Sequence, residues 1–585
     1  EVFWVKDDSV LNINGGQNST TEHKGTIQAD MWHYNTNGNY VIKGALITGG
    51  YSSNGGGAIH IKEHAIVNIN NVTIAGNATS DGEGAGAIKL DSDSSTVTLH
   101  DSEICYNKAT GGGGGAIRVE GEYTNVQILG TKINNNVVTK GSCDGGAIQI
   151  NNGTVTIARS NNRVSEISFN TTTRNGGAIY VSYISTMDIN THLTLNDTVI
   201  KKNQASSGGA IYATRRSIEE KAILINAKNV TFEENTAKSS GGAILLTAGI
   251  KTYFYNITFK KNSAKNGGAM SVGSKSLFEL DKAAFTSNTS TEDGGAITVG
   301  GGATALMNNI TATGNKGSSG GFAYNEGGII KLYSSKINSN TAYSGGAMYL
   351  YTDAVTGIYN TEISNNKTYL SSSGSSGNGG ALFVYTGGTQ TLLNTCTLSN
   401  NETTGSGGGM YVSGESAAKF YNITATGNKA AKGGFMYETK AGTVVDIVGL
   451  TVSGNSASEG GPIIWGNTKN AVLNINKTKY VDKKDDTSQK DYWSKAIVNL
   501  LTVKEITSSA AKADTYTSKN EEPKPAATKT PVSVEDVFNI AKKSSDADIN
   551  ASYNKLKKLD NSSNFMSRST KDYPKINGKT VTVDT

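Results

Sequence analysis

A right-handed parallel β-helix of about 15 coils, an all-β solenoid, is the fold this sequence predicts. Three observations predict it: a glycine excess over a thin apolar content, two motifs that recur together at coil-length intervals, and a period-two alternation after each motif.

The first is compositional. The 585 residues include 70 glycines and only 5 prolines, which excludes collagen-like and Pro-rich disordered chains. Hydrophobic residues make up 36%. That is too little for a thick spherical core and enough for a long thin one.

The second is the repeat. Gly-Gly-Ala-Ile or a close variant begins at Gly56, Ala85, Gly114, Gly145, Gly176, Gly208, Gly241, Gly267, Gly294, Gly320, Gly345, Gly379, Gly407, Gly433 and Gly460, 25 to 34 residues apart. Before it comes an apolar residue, two variable ones and an asparagine, as in Phe259-Lys-Lys-Asn262. These asparagines are Asn77, Asn107, Asn136, Asn170, Asn203, Asn235, Asn262, Asn288, Asn315, Asn340, Asn366, Asn401, Asn428 and Asn455. A unit of this size suits one coil of three short strands and three turns, and no 3.6-residue period persists. Coils stacked at the inter-strand spacing of ~4.8 Å give a rod of roughly 70 Å. Gly-Gly supplies a bend with positive φ. Asparagine tolerates left-handed geometry and passes amide hydrogen bonds to its equivalent in the next coil.

The third is alternation. Ile59/Ile61, Ile117/Val119, Met348/Leu350 and their equivalents point inward, and the residue between them points out. In coil order the outward residues are His60, Lys89, Arg118, Gln149, Tyr180, Tyr212, Leu245, Ser271, Thr298, Tyr324, Tyr349, Phe383, Tyr411, Tyr437 and Ile464. Tyr324, Tyr349, Phe383, Tyr411 and Tyr437 form an aromatic column, read as an interaction face covered by the chain's own tail or a neighbouring copy, or as stacked rings that stabilise the sheet.

Gly-Gly-Ala-Ile alternating with Phe-x-x-Asn resembles the repeats of chlamydial polymorphic outer-membrane proteins and of adhesin-like surface proteins, over about residues 50–470. The resemblance implies a parallel β-helix displayed at a cell surface and used in adhesion. The chlamydial proteins carry a C-terminal membrane β-barrel. This tail has no run of alternating ten-residue strands, so barrel anchoring is not expected.

Three regions follow: 1–50 as an N-terminal cap and first coils, 51–480 as the β-helix, and 481–585 as a charged, glycine-poor tail. Only Gly578 of the 70 glycines lies beyond residue 480. Within the tail, 507–531 reads as an extended linker and 533–543 as a short helix. The tail is expected to dock on a helix face or an adjacent subunit. Glu1-Val2-Phe3-Trp4 reads as a mature N-terminus after cleavage of a secretion signal.

Net charge is only +5, with no basic block, so nucleic acid is not an expected partner. No window is apolar enough to cross a membrane as a helix. Of Cys105, Cys143 and Cys396, the nearest pair for a bridge is Cys105–Cys143, whose repeat positions differ. Many β-helices cleave polysaccharides with acids and bases gathered on one strand face. Asp91, Asp93, Asp101, Glu103, Glu120 and Glu122 scatter across turns and strand ends, so no such cluster is expected. Asp91-x-Asp93 reads as a solvated loop more than a calcium site. His60 and His64 would suit a metal pair on a helix but fall in a strand and turn. No catalytic residue, metal or cofactor is assigned. Five sequons share one register and are glycosylation candidates: Asn71, Asn229, Asn256, Asn309 and Asn422. The expectation is a secreted, non-enzymatic, extracellular structural protein, a stalk, coat or self-assembling filament subunit. Its partner would be itself or cell-surface glycans. The alternatives are a monomeric carbohydrate-binding adhesin and a pectate-lyase-like enzyme.

Overall fold

Each coil runs from a glycine pair through a short strand, turns, passes a strand bent at its middle, and closes on a two-residue strand after the ladder asparagine. In the coil that starts at Gly56 these are Ile59–Ile61, Ile66–Asn70 with Val72–Ala75, and Ala78–Thr79. The computed structural model describes residues 2–5, 10–14, 23–25, 40–42, 45–480 with short breaks, and 502–505. The expected tail helix, linker and docking lie outside the described residues. The described residues fall in two compact units, 1–252 and 253–505. The fold is an all-β parallel solenoid of about 15 turns, without a helix among the described residues.

The strands of a coil pair in parallel with those of the next, residue for residue. Ile88-Lys89-Leu90 lies beside both Ile59-His60-Ile61 and Ile117-Arg118-Val119. In the second unit Met348-Tyr349-Leu350 lies beside Leu382-Phe383-Val384. The glycine-side sheet has eight strands in each unit. In the first unit one of them precedes every glycine pair: Phe3–Val5 pairs with Ile59–Ile61, and Val10–Asn14 pairs with Ile66–Asn70. Residues 1–52 thus supply a single N-terminal coil, in which His23–Gly25 and Tyr40–Ile42 pair antiparallel to each other.

The glycine pair has two separate causes. The first glycine takes positive φ, 74° at Gly114 and 64° at Gly345. The second is set by coil stacking. A Cβ on Gly346 would lie 2.1 Å from the Gly380 carbonyl oxygen, closer than any side chain tolerates. Gly56 and Ala85 do not take positive φ, so alanine fits at 85.

The asparagine reading needs one correction. The left-handed residue is the one before each ladder asparagine, such as Glu234 (φ 54°) and Ser339 (φ 55°). That bend turns the asparagine inward. In the first unit Asn77, Asn107, Asn136, Asn170 and Asn203 each donate a side-chain hydrogen bond to the next asparagine's Oδ1 at 3.0 Å. In the second unit the same bonds run from Asn262 to Asn455 at 2.9–3.0 Å. The same Oδ1 also accepts the preceding coil's backbone N–H, as Asn340 does from Asn315 at 3.0 Å. The second amide hydrogen reaches a backbone carbonyl, that of Ala312 for Asn340. Each internal rung is therefore fully bonded without water.

The cores differ. Inward positions in the first unit are mostly Ile, Val, Leu and Ala. The second unit adds fully buried Phe254, Phe259, Phe278, Phe285, Phe322, Phe420 and Phe435. Phe259 stacks on Phe285 at 4.8 Å, and Phe285 meets Phe322 edge-on at 5.6 Å.

Candidate functional surfaces

Because the inward positions are apolar in nearly every coil, function must be sought on outward positions. On the glycine-side sheet of the second unit, Tyr324, Tyr349, Phe383, Tyr411 and Tyr437 stand one per coil, as the spacing predicts. Successive ring centroids are 5.5, 4.7, 4.8 and 5.2 Å apart. The last two pairs are stacked nearly parallel, at 11° and 16°. A second row lies beside them: Tyr351 stacks on Tyr385 at 6.2 Å. Phe383 and Tyr437 are buried, and the other three are half-buried. The stacked rings turn their faces to each other and their edges outward. Burial raises the hydroxyl pKa values throughout, with Tyr411 pushed up to about 12 by burial and then by Tyr437, so these phenols stay protonated at physiological pH.

The column's last member differs from expectation. A bulge between Ala430 and Lys432, opposite Ala457 and Gly460, shifts the register by one, and Gly461 rather than Gly460 takes the ordinary positive φ (62° against 147°). Ile464 therefore points inward, fully buried, and Trp465 pairs with Tyr437 on the outside. Pro462 then falls where earlier coils place the second glycine, whose N–H bonds to the next coil. It removes that donor at the last strand of this sheet.

The same column in the first unit carries charge. Lys89 Nζ lies 3.1 Å from Asp91 and 3.4 Å from Glu120. Arg118 bonds Glu120, and Asn151 donates to the same carboxylate at 3.1 Å. His60 Nε2 is 3.5 Å from Asp91, and Trp4, 62% exposed, stacks on the His60 ring. The His60 hydrogen bond, followed by Lys89, holds the Asp91 carboxyl well below the usual carboxylate range. This overturns the expectation that no acids and bases gather on one face. Outward alternation continues past the three-residue strand, so Asp91 and Glu120 project beside Lys89 and Arg118. The cluster neutralises itself, with each carboxylate set against a cation. Lys89 and Arg118 are buried, and Lys89 also bonds the carbonyl of Asn54.

Among the described residues, no three His, Cys, Asp or Glu side chains are grouped to hold a metal, and no helix is long and apolar enough to cross a membrane. Asp93 accepts a bond from the Glu122 backbone N–H, and His64 occupies a left-handed turn. Cys105, Cys143 and Cys396 are buried. The pairing considered for Cys105 and Cys143 is not made: Cys105 packs with Ala75, whereas Cys143 packs with Ala109 and Val138. Burial pushes the Cys396 thiol up to about 12.

Asn71, Asn229, Asn256, Asn309 and Asn422 occupy one structural position, the left-handed bend within the long strand, at φ 53–55°. Asn309 and Asn422 are exposed, and the other three are half-buried. The position accounts for the sequon: asparagine suits the bend, the next residue points in and is Val or Ile, and the third points out as Thr. By contrast, the sequon asparagines 77, 170, 288, 366 and 401 are ladder residues with no exposed surface.

These features define a β-solenoid repeat protein whose coils are fastened by an asparagine ladder and a glycine-pair corner. The family model for the Chlamydia polymorphic membrane protein (Chlamydia_PMP) repeat matches residues 197–214 and 229–247. Both stretches lie in the first unit and run from the bent strand through the ladder asparagine toward or into the glycine-pair strand, so the repeat is of the kind the motifs indicated. No curated protein and no solved structure matches the chain.

Proposed function

We propose that the chain acts at a cell surface as a non-enzymatic structural element, a stalk, coat or filament subunit built from stacked coils. The observation that carries this reading is the match of two coils to a polymorphic membrane protein repeat, within coils whose glycine corner and ladder asparagine recur. Two features of the outer surface favour structure over chemistry. The charged cluster of the first unit consumes its cations internally. The aromatic column of the second unit has its ring faces largely taken by neighbouring rings, so it offers edges where a sugar platform would offer faces. Its partner would be a second copy of the chain, with cell-surface glycans as the second reading. Trp4, exposed and stacked on His60 at the N-terminal end of the first unit's outer column, is the residue that favours the glycan reading.

Negative-stain microscopy of surface material separates the two. Filaments or ordered arrays that break up when Tyr349 and Tyr411 are both changed to Ser support the structural reading. Isolated particles that bind a glycan panel through Trp4 favour the adhesin. Release of reducing or unsaturated ends from acidic polysaccharides by the purified chain would overturn both.

A further inference from the structure

The bent strand has an outward face of its own, and in the second unit that face is anomalous. Its strands in register are Leu277–Thr286, Thr304–Thr313, Ile329–Tyr333, Val355–Tyr359 and Gln390–Asn394. Phe278, Leu280, Ala305, Met307, Ile330 and Leu332 point inward, so Glu279, Leu306, Lys331 and Leu392 point out, as do Tyr333 and Tyr359. Outward residues should be wet. These are buried: Lys331 is 4% exposed, Leu306 1%, Leu392 3%, Tyr333 1% and Tyr359 2%. A lysine on the outside of a sheet reaches such values only beneath a cover.

On its C-terminal side the covered patch ends. Two coils further on, Val444, Asp446 and Val448 at the equivalent positions are half-buried, with inward Val445 and Ile447 fully buried. Composition marks the same patch independently of burial. The face carries Leu277, Leu306, Ile329, Tyr333, Tyr359 and Leu392, whereas its counterpart in the first unit carries Asn68, Thr98, Gln127, Thr154 and Thr156.

We infer that this face is the docking site of the chain's own C-terminal segment, residues 506–557. The chain arrives there by geometry. Thr502–Glu505 pairs parallel with Val472–Tyr480 and so ends on the same sheet as the face. From that strand back to Leu277–Thr286 is eight strand spacings, ~38 Å at the spacing of a sheet. An extended chain covers this in about 12 residues, far fewer than the segment holds. The segment also has what the face needs. Val534, Val537, Phe538 and Ala541 recur at helical spacing as one apolar stripe, followed by Lys542 and Lys543. The stripe suits Leu306, Tyr333 and Leu392, and the lysines suit the acids Glu279 and Asp281. The inference deepens the expectation of a docked tail and is independent of the surface role proposed above.

Amine labelling of the full chain tests it. Lys331 should react at least 10-fold more slowly than Lys336, which is exposed in the same coil. The pair Val537→Asp and Phe538→Asp should abolish that difference, at any protein concentration. Equal reactivity of the two lysines in the unaltered chain overturns the inference. So does protection that survives the double substitution, or protection lost on dilution, which would place a second copy on the face.

Discussion

Residues 1–252 and 253–505 repeat one coil and differ in what they set on and within it. The first unit has an aliphatic core and a charged outer column, Lys89–Asp91–Arg118–Glu120. The second has a phenylalanine-rich core and an aromatic outer column from Tyr324 to Trp465. The asparagine ladder and glycine corners are common to both. The coil is therefore a fixed chassis, and specificity resides in residues the chassis does not constrain.

The largest expected effect tests what is shared. Asn136→Ala and Asn340→Ala should each cost about 2–6 kcal/mol, because each strands a buried amide and a backbone N–H of the preceding coil at ~1–3 kcal/mol apiece. Urea unfolding of the two variants should give similar losses. A loss in only one unit would show that the ladders are not equivalent.

Substitutions in the outer columns should separate the units. Phe383→Ala is expected to cost about 2–4 kcal/mol, near the lower range for a buried aromatic. Arg118→Met should cost about 1–3 kcal/mol, since it leaves a largely buried Glu120 short of a cation and Glu120 keeps some contact with water. Raising salt should narrow the second loss and leave the first unchanged.

Acidification should move the units in opposite directions. Asp91 is held below its ordinary value of 3.8, so its stabilising contribution is present above that pH and disappears as pH falls through the folded value. Glu438 points inward beside Gly466, fully buried, and burial raises its pKa well above 4.5. Protonated, its carboxyl carries no buried charge. It opposes folding by about 1.4 kcal/mol per pH unit as pH climbs from the unfolded value toward the folded one. Hydrogen exchange, corrected for intrinsic rates, should show Met436–Gly466 tightening as pH falls toward 4.5 and Lys89–Glu120 loosening only below pH 4. Glu438→Gln should abolish the second trend alone.

The smallest effect concerns the bend asparagines. Asn309→Gly and Asn422→Gly should shift stability by about 0.5 kcal/mol or less, whereas valine at either position should cost about 1–2 kcal/mol for its left-handed backbone. In a host that adds N-linked glycans, glycopeptide mass spectrometry should find sugar on these two and none on ladder residues Asn288 and Asn401. Sugar on a ladder residue would be incompatible with the rungs described.

Much of this was legible in the residue string, and each gap has a physical cause. The glycine pair and the asparagine recur because every coil meets the same steric and hydrogen-bonding demand, so a linear pattern reports them. The fold, the inward residues and the column Tyr324–Tyr437 follow from that period. The one-residue shift at Gly460 did not, since two adjacent glycines look alike in sequence and only backbone dihedrals tell which turns left-handed. The Lys89–Asp91–Arg118–Glu120 cluster was missed because its acids lie past the strand ends, where alternation is not read. The sequence by itself determined the repeat and, up to the coil at Gly460, its register and which side chains face in, because those depend on local periodicity. Only the tertiary structure decided which outward residues are covered, which charges neutralise one another and which rings stack, because these depend on how successive coils stack, which brings together residues 25 or more positions apart such as Lys89 with Glu120 and Tyr324 with Tyr349.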